Sequence, residues 1–121
     1  MSSSTSPAKI FGISNCDTVK KAKKWLDAEN ISYEYVDFRK DGIQASDVEK
    51  WISSAGIEKV INKRGTTWRK LNETQQGVIS DSRAAIELIL SEPTLIKRPV
   101  LEFNDRVEIG FSEPTYKTLF S

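Results

Sequence analysis

The strongest constraint in this sequence is a change of hydrophobic period, from strand to helix and back, within the first forty residues. Residues 9–13 form a short segment with strand propensity, and residues 31–38 are again rich in strand-forming side chains. Between them, from Asp17 onward to about Asn30, apolar residues recur at helical spacing. These apolar residues are Val19, Ala22 and Leu26. The β-α-β order predicts parallel strands with a right-handed crossover, so the loop after the first strand lies at the sheet edge where α/β folds bind ligands.

The rest of the chain predicts a group of helices followed by a hairpin and a last helix. Helical spacing recurs over residues 46–55, 66–71 and 81–91. Alternating apolar and polar residues then flank an Asn104-Asp105 turn, which indicates a β-hairpin, and a short helix follows over residues 113–120. The order resembles a thioredoxin-like α/β sheet, β-α-β and then β-β-α, with a helical insertion at about residues 44–92 between strands 2 and 3.

Length and charge indicate a small cytoplasmic protein. We expect a single domain over residues 8–121, after a Ser-rich disordered tail over residues 1–7. The net charge is +1, so no overall field draws the chain to nucleic acid or to a membrane surface. No apolar run approaches the roughly 18 residues of a membrane span. We expect a monomer with no nucleic-acid and no membrane partner.

The chain has no histidine and one cysteine, Cys16, which excludes several chemistries. Ser-His-Asp and Cys-His catalysis both need an imidazole that titrates near neutral pH. A single cysteine also excludes an intramolecular disulfide, a C-x-x-C pair and zinc sites built from several Cys or His residues. We therefore expect no metal, and any thiol chemistry must take its second sulfur from another molecule.

Two interpretations of Cys16 stay open at the level of sequence. Cys16 lies where the first strand turns into the helix, and Ser14 and Asp17 have the spacing of a capping box there. The positive end of a helix stabilises a thiolate, although the carboxylate of Asp17 opposes that effect. The alternative is that Cys16 is a small buried packing residue. Exposure of the side chain distinguishes the two.

Two basic segments, residues 62–69 and 97–99, also admit more than one interpretation. Most Lys and Arg side chains simply face water, which is the ordinary explanation for both segments. Guanidinium groups also bind oxyanions and carboxylates in bidentate fashion, so either segment suits an anionic partner. Basic residues around Trp68 are a further pattern seen in proteins that contact single-stranded nucleic acid.

Four segments together carry a family pattern. They are GISNCDTVKKAKKWL at 12–26, YVDFR at 35–39, NKRGTTWRKL at 62–71 and IKRPV at 96–100. Over about residues 9–120 this pattern resembles the ArsC/Spx family, and its YffB-type branch most closely. The resemblance implies a thioredoxin-like fold and a thiol-dependent, glutathione-coupled reductase of the arsenate reductase family that uses a single nucleophilic cysteine.

The resemblance also implies roles for individual residues. Cys16 matches the family's nucleophile, and Arg98 matches an arginine that binds the oxyanion and stabilises the thiolate. Arg64 stands where the insertion usually supplies another arginine. No bound cofactor is implied; glutathione is the co-substrate, with a small oxyanion or a disulfide as substrate, and glutaredoxin is admitted as a partner.

Three neighbouring residues complete the expected site. We expect Asn15 and the backbone after Cys16 to donate hydrogen bonds to the bound group, with Thr18 as a weaker donor. Pro99, expected to be cis, would shape the strand that receives the substrate.

Two departures from the family leave the function open. Arsenate reductases use a third arginine that would fall near Gly110, and this sequence has no arginine there. Arsenate, glutathione mixed disulfides and protein mixed disulfides therefore all remain open as substrates. The Spx regulators carry a C-x-x-C switch, but Val19 holds its second position here. The alternative function is therefore a non-catalytic, Spx-like regulator that binds RNA polymerase.

Overall fold

The computed structural model of the chain describes residues 8–13 and 16–120. Two compact units are present: a sheet unit, Met1–Asp41 with Arg98–Ser121, and a helical unit, Gly42–Lys97. The expectation of one domain stays a prediction, and the expected disordered tail over residues 1–7 lies outside the described residues. Within the described part of the chain, no helix has the length and apolar character needed to cross a membrane.

The elements follow one another in the predicted order. They are β1 (Ala8–Gly12), α1 (Asp17–Ala28), β2 (Tyr33–Asp37), α2 (Ala45–Ala55), α3 (Ile57–Val60), α4 (Thr66–Lys70), α5 (Glu73–Gly77), α6 (Ser82–Ser91), β3 (Val100–Phe103), β4 (Arg106–Ile109) and α7 (Glu113–Leu119), with 3₁₀ turns at Val78–Ser80 and Pro93–Leu95. Helices α2 to α6 fall between β2 and β3, which confirms the predicted helical insertion.

The sheet has the order β2-β1-β3-β4. Strands β1 and β2 are parallel, β3 is antiparallel to β1, and β4 is antiparallel to β3. Asn104 and Asp105 join the last two strands with φ values of 50° and 63°, the left-handed conformation that a two-residue hairpin turn requires. This mixed sheet with its helical insertion is a thioredoxin-like fold, as predicted.

Helix α1 is held to the sheet by its apolar stripe. Val19, Ala22 and Leu26 are all buried, as their spacing predicted. Tyr116 of α7 is buried against the same core, and its ring meets Trp25 edge to face at a centroid distance of 5.8 Å. Burial of such large side chains is the main source of stability for this unit.

The helical unit is built around α2 and α6. Trp51 of α2 and Ile89 of α6 are buried, and a β-bridge between Ile61 and Ile96 joins the segment after α3 to the end of the unit. Helices α3 and α5 were not predicted; each makes little more than one helical turn, which gives a weak periodic signal, although α4, which is as short as α5, was predicted from residues 66–71. The reciprocal capping bonds between Asn72 and Gln75 begin α5 and were a readable signal for it.

The capping box predicted at the start of α1 is wrong. Its N-cap is Cys16, with an extended backbone and no side-chain capping bond, so the helix does not begin with the Ser14-Asp17 box. Ser14 itself lies outside the described residues. The helix ends at Ala28, before the predicted Asn30, which takes the left-handed conformation with a φ of 57°.

Gly12 permits a close approach of α1 to the end of β1, and this contact generates a prediction. A Cβ atom at Gly12 would lie 2.6 Å from Val19 Cγ2, and Val19 is buried. We expect Gly12→Ala to lower the free energy of unfolding by about 1–3 kcal/mol, the usual cost of overpacking a core.

Urea unfolding measures this change, with Gly77→Ala as the matched control. A Cβ atom at Gly77 meets nothing within 4 Å, so we expect stability there to be unchanged or raised by up to about 1 kcal/mol. Equal effects of the two substitutions would contradict the close approach.

Candidate functional site

Cys16 occupies the junction between β1 and α1. Its N–H donates to the Ile13 carbonyl at 3.3 Å, and its carbonyl accepts from the Lys20 N–H at 3.0 Å. The side chain is half-buried and makes no capping hydrogen bond, so the sulfur is neither enclosed in the core nor occupied as a helix cap. The free N–H groups of the first turn of α1 supply positive potential at this end of the helix.

Strand register brings Arg98 and Pro99 to the same edge of the sheet. Phe11 pairs with Val100, so one step further along the antiparallel pair Pro99 comes beside Gly12. The Gly110 N–H donates to the Pro99 carbonyl at 2.8 Å and fixes this segment onto the hairpin. Pro99 is buried and the Arg98–Pro99 bond is cis, as predicted.

Arg98 is half-buried, and its Nε atom is inaccessible to solvent. The part of the side chain around Nε is therefore packed against the protein. Arg98 lies at the carboxyl end of β1, from which the chain runs on to Cys16, and a contact between the guanidinium and the sulfur stays a prediction.

The other predicted site residues have different placements. Thr18 is half-buried in the first turn of α1. Asn15 lies outside the described residues, so its role stays a prediction. Arg64 belongs to the helical unit, where its side chain is exposed and its backbone N–H donates to Asn62 Oδ1 at 3.2 Å. Its part in the site also stays a prediction.

A buried carboxylate, Asp37, was missed by sequence reasoning. It ends β2 opposite Gly12 and is only 4% exposed. Its Oδ1 accepts the backbone N–H groups of Arg39 at 2.8 Å and Lys40 at 3.1 Å, and its Oδ2 accepts the Tyr35 hydroxyl at 3.4 Å. Burial alone would raise the pKa of Asp37, but these donors and the charge of Lys40 outweigh it and hold the pKa below its usual value.

The turn that follows Asp37 is hydrogen-bonded to the end of β1. The Phe38 N–H donates to the Gly12 carbonyl at 2.8 Å, and the Asp37 N–H donates to Asp41 Oδ2 at 2.9 Å. The sequence did contain a signal for Asp37: it is an acidic residue at the carboxyl end of β2. Because β2 is parallel to β1, the carboxyl ends of the two strands lie at the same edge of the sheet. The edge therefore carries Cys16, Arg98 and a buried carboxylate.

Comparison with known proteins identifies close relatives. The sequence profile of the ArsC family matches residues 11–119. An uncharacterized protein of Haemophilus influenzae is 39% identical over 112 residues, covering 93% of this chain and 97% of the relative. A solved YffB protein is also 39% identical, with a TM-score of 0.89, over 94% of this chain and 99% of its own. An arsenate reductase (ArsC) related protein from Brucella melitensis is 38% identical, with a TM-score of 0.72, over 96% of each chain.

These similarities confirm the resemblance inferred from the four segments. Regulators named Spx are related more distantly: the global transcriptional regulator Spx of Streptococcus pyogenes is 28% identical over 120 residues, 93% of this chain and 84% of the regulator. An arsenate reductase-related protein and the Spx regulators therefore both match most of the chain.

The lowered pKa of Asp37 predicts a loss of stability in acid. A carboxyl group with a folded-state pKa below its unfolded value contributes stability above the unfolded pKa, and that contribution disappears as the pH falls through the folded value. We expect Asp37→Asn to lower the free energy of unfolding by about 1 kcal/mol or more at neutral pH. The difference from wild type should shrink below about pH 4, where the unfolded carboxyl group is protonated.

Urea unfolding at neutral pH and in acid measures both quantities. Asp105→Asn is the matched control, because Asp105 is exposed and asparagine also tolerates its left-handed turn conformation. A difference between wild type and Asp37→Asn that stayed constant with pH would contradict the stabilised carboxylate.

Proposed function

Because this chain belongs to the ArsC family, we propose that it is a thiol-dependent reductase in which Cys16 is the nucleophile and glutathione supplies the resolving thiol. The observation that carries the proposal is the place of Cys16, half-buried at the first turn of α1 with no capping bond on its sulfur. Family membership supports an oxidoreductase, and the coupling to glutathione is the more specific part of the proposal.

For a mixed disulfide of glutathione, the reaction consists of two thiol exchanges. The Cys16 thiolate attacks the glutathione sulfur, forms a mixed disulfide with it and releases the substrate sulfur as a thiolate that takes up a proton. A second glutathione thiolate then attacks that mixed disulfide, which yields oxidised glutathione and restores the Cys16 thiolate. Across the two steps, the substrate sulfur is reduced from the disulfide to the thiol level and the incoming glutathione sulfur is oxidised to the disulfide level, while the glutathione sulfur of the substrate stays at the disulfide level throughout.

The residues around the sulfur have complementary tasks. The N–H groups at the start of α1 stabilise a thiolate, and they also donate to an oxyanion bound at the sulfur. Arg98 adds a positive charge and two parallel donors suited to a carboxylate of glutathione or to an oxyanion. With no histidine in the chain, these groups take the place of an imidazole that would otherwise activate the thiol.

The substrate is either a small oxyanion or a disulfide. Gly110, near which arsenate reductases place their third arginine, has a φ of 84° that strains residues with a side chain. Because this chain has a glycine where those enzymes have their third arginine, a fully ionised oxyanion meets less positive charge here than three arginines provide. A cytoplasmic location fits this chemistry, because glutathione keeps thiols reduced there, and the proposal includes glutaredoxin as a carrier of the resolving thiol.

The second candidate function is an Spx-like regulator that binds RNA polymerase without catalysis. The similarity of the Spx regulators over most of the chain favours it. A pull-down with purified RNA polymerase, using wild type and Cys16→Ser, separates the two functions. Polymerase binding that survives the loss of the sulfur, together with no thiol turnover in wild type, would support the regulator.

Replacement of the sulfur tests the enzyme directly. We expect Cys16→Ser and Cys16→Ala to abolish glutathione-coupled reduction of a mixed disulfide, because neither side chain forms a disulfide. Their melting temperatures should stay near that of wild type, since a half-buried sulfur contributes little to packing. Thr115→Ser, an equally small change on α7, is the activity control. Turnover retained without Cys16 would refute the nucleophile.

Removal of the guanidinium tests its effect on the thiolate. We expect Arg98→Ala to move the pH profile of Cys16 alkylation by iodoacetamide upward, because a nearby positive charge favours the thiolate. Arg106→Ala is the control: this arginine is exposed and begins β4 at the hairpin turn, the opposite end of β3 from Arg98. Identical profiles for Arg98→Ala and wild type would show that the guanidinium does not act on the sulfur.

A further inference from the structure

The outer face of α1 carries a stripe of lysines that begins one helical turn from Cys16. Lys20, Lys21 and Lys24 are exposed on this face, and we call them the lysine stripe. The Lys20 N–H donates to the Cys16 carbonyl at 3.0 Å, so Lys20 lies one turn beyond the cysteine, and Lys24 follows one turn later. The lysine stripe therefore runs from the Cys16 end of the helix along its solvent side. The function proposed above does not use it.

The charges of the lysine stripe face water. Over residues 8–13 and 16–120, none of the three lysines takes part in an ion pair. Lys23 differs from them, because its Nζ lies 4.1 Å from the centroid of the Tyr35 ring. Helix α1 holds four lysines and two aspartates, a surplus of two positive charges in a chain whose net charge is +1. Positive charge is therefore concentrated on the helix that begins at Cys16, and the rest of the chain has a slight excess of negative charge.

The length and the ends of the lysine stripe indicate what it fits. Lys24 lies about 12 Å from Cys16 along the helix axis, a distance that an extended peptide spans in about four residues. Asp17 and Asp27, both exposed, lie before and after the stripe on the same helix. A short cluster of carboxylates fits between them, whereas a long phosphate backbone would also meet their negative charges. The stripe therefore suits an acidic segment of polypeptide better than a nucleic acid.

We propose that the lysine stripe docks an acidic segment of a substrate protein, whose cysteine is held in a mixed disulfide with glutathione and has carboxylates a few residues away. The choice of substrate rests on the proposed function, but the docking is a property of the surface of α1. A single exposed ion pair contributes little, and several charges of one sign on one face together raise the rate of encounter with an oppositely charged partner.

The test compares two synthetic cysteine peptides, each joined to glutathione by a disulfide. One has glutamates about two to four residues from its cysteine, and the other has glutamines at the same positions. In the measured step the Cys16 thiolate attacks the glutathione sulfur, and the peptide sulfur leaves as a thiolate that takes up a proton. The intact mass of the chain reports the glutathione that Cys16 acquires. We expect the glutamate peptide to react about fivefold to tenfold faster at low ionic strength, and this advantage to disappear in about 0.5 M salt.

A triple variant, Lys20→Gln with Lys21→Gln and Lys24→Gln, removes the stripe. We expect the ratio of the glutamate-peptide rate to the glutamine-peptide rate to fall to about one. This ratio cancels any change in the reactivity of the sulfur itself. The matched control replaces three exposed lysines on other helices with glutamine, so that both triple variants have the same net charge, and its ratio should equal that of wild type. These lysines are Lys59, Lys70 and Lys117.

Equal rates for the two peptides in wild type, or an equal loss of preference in both triple variants, would overturn the docking. A cysteine-free glutamate peptide titrated into isotope-labelled Cys16→Ser tests the surface without any chemistry, and we expect its NMR amide shifts to concentrate on the lysine stripe. Such shifts without thiol exchange in wild type refute the reductase and keep the docking. Exchange at equal rates without shifts refutes only the docking. An oligothymidylate that shifts the same amides at lower concentration than the peptide would overturn the proposal in favour of nucleic acid.

Discussion

The candidate site depends on the close approach of α1 to the carboxyl end of β1. Gly12 leaves room there for Val19, whose side chain would overlap with any Cβ atom at that position. The junction between strand and helix is therefore short, and Cys16 becomes the N-cap of α1. Because the cap position lies beside the free N–H groups of the first turn, those groups supply positive potential next to Cys16.

In the proposed reaction, fixed donors take the place of a group that titrates near neutral pH, because the chain has no histidine. The N–H groups at the start of α1 and the positive charge of Arg98 are the groups we propose to stabilise the thiolate of Cys16. At the same edge of the sheet, three hydrogen bonds satisfy the buried carboxylate of Asp37, and one of them comes from Tyr35.

The sequence was informative where local patterns decide the structure. The change of period predicted β1, α1 and β2, and the Asn104-Asp105 turn predicted the hairpin, because periodicity and turn geometry are local properties. The burial of Asp37 and its backbone hydrogen bonds could not be predicted from spacing alone, since they depend on the pairing of β2 with β1 and on the turn after β2, which arise only in the folded chain. The start of α1 was misjudged for a related reason: the Ser14-Asp17 spacing suggested a box, but packing against β1 places the cap at Cys16.

In the proposed function, the fold makes the Cys16 sulfur more nucleophilic than an ordinary thiol. The rate at which Cys16 forms a mixed disulfide with oxidised glutathione, followed by intact mass at about pH 6 in the native chain and in the urea-unfolded chain, tests it most directly. The single cysteine makes the adduct unambiguous. We expect a faster reaction in the native chain. An equal or slower native reaction would contradict it.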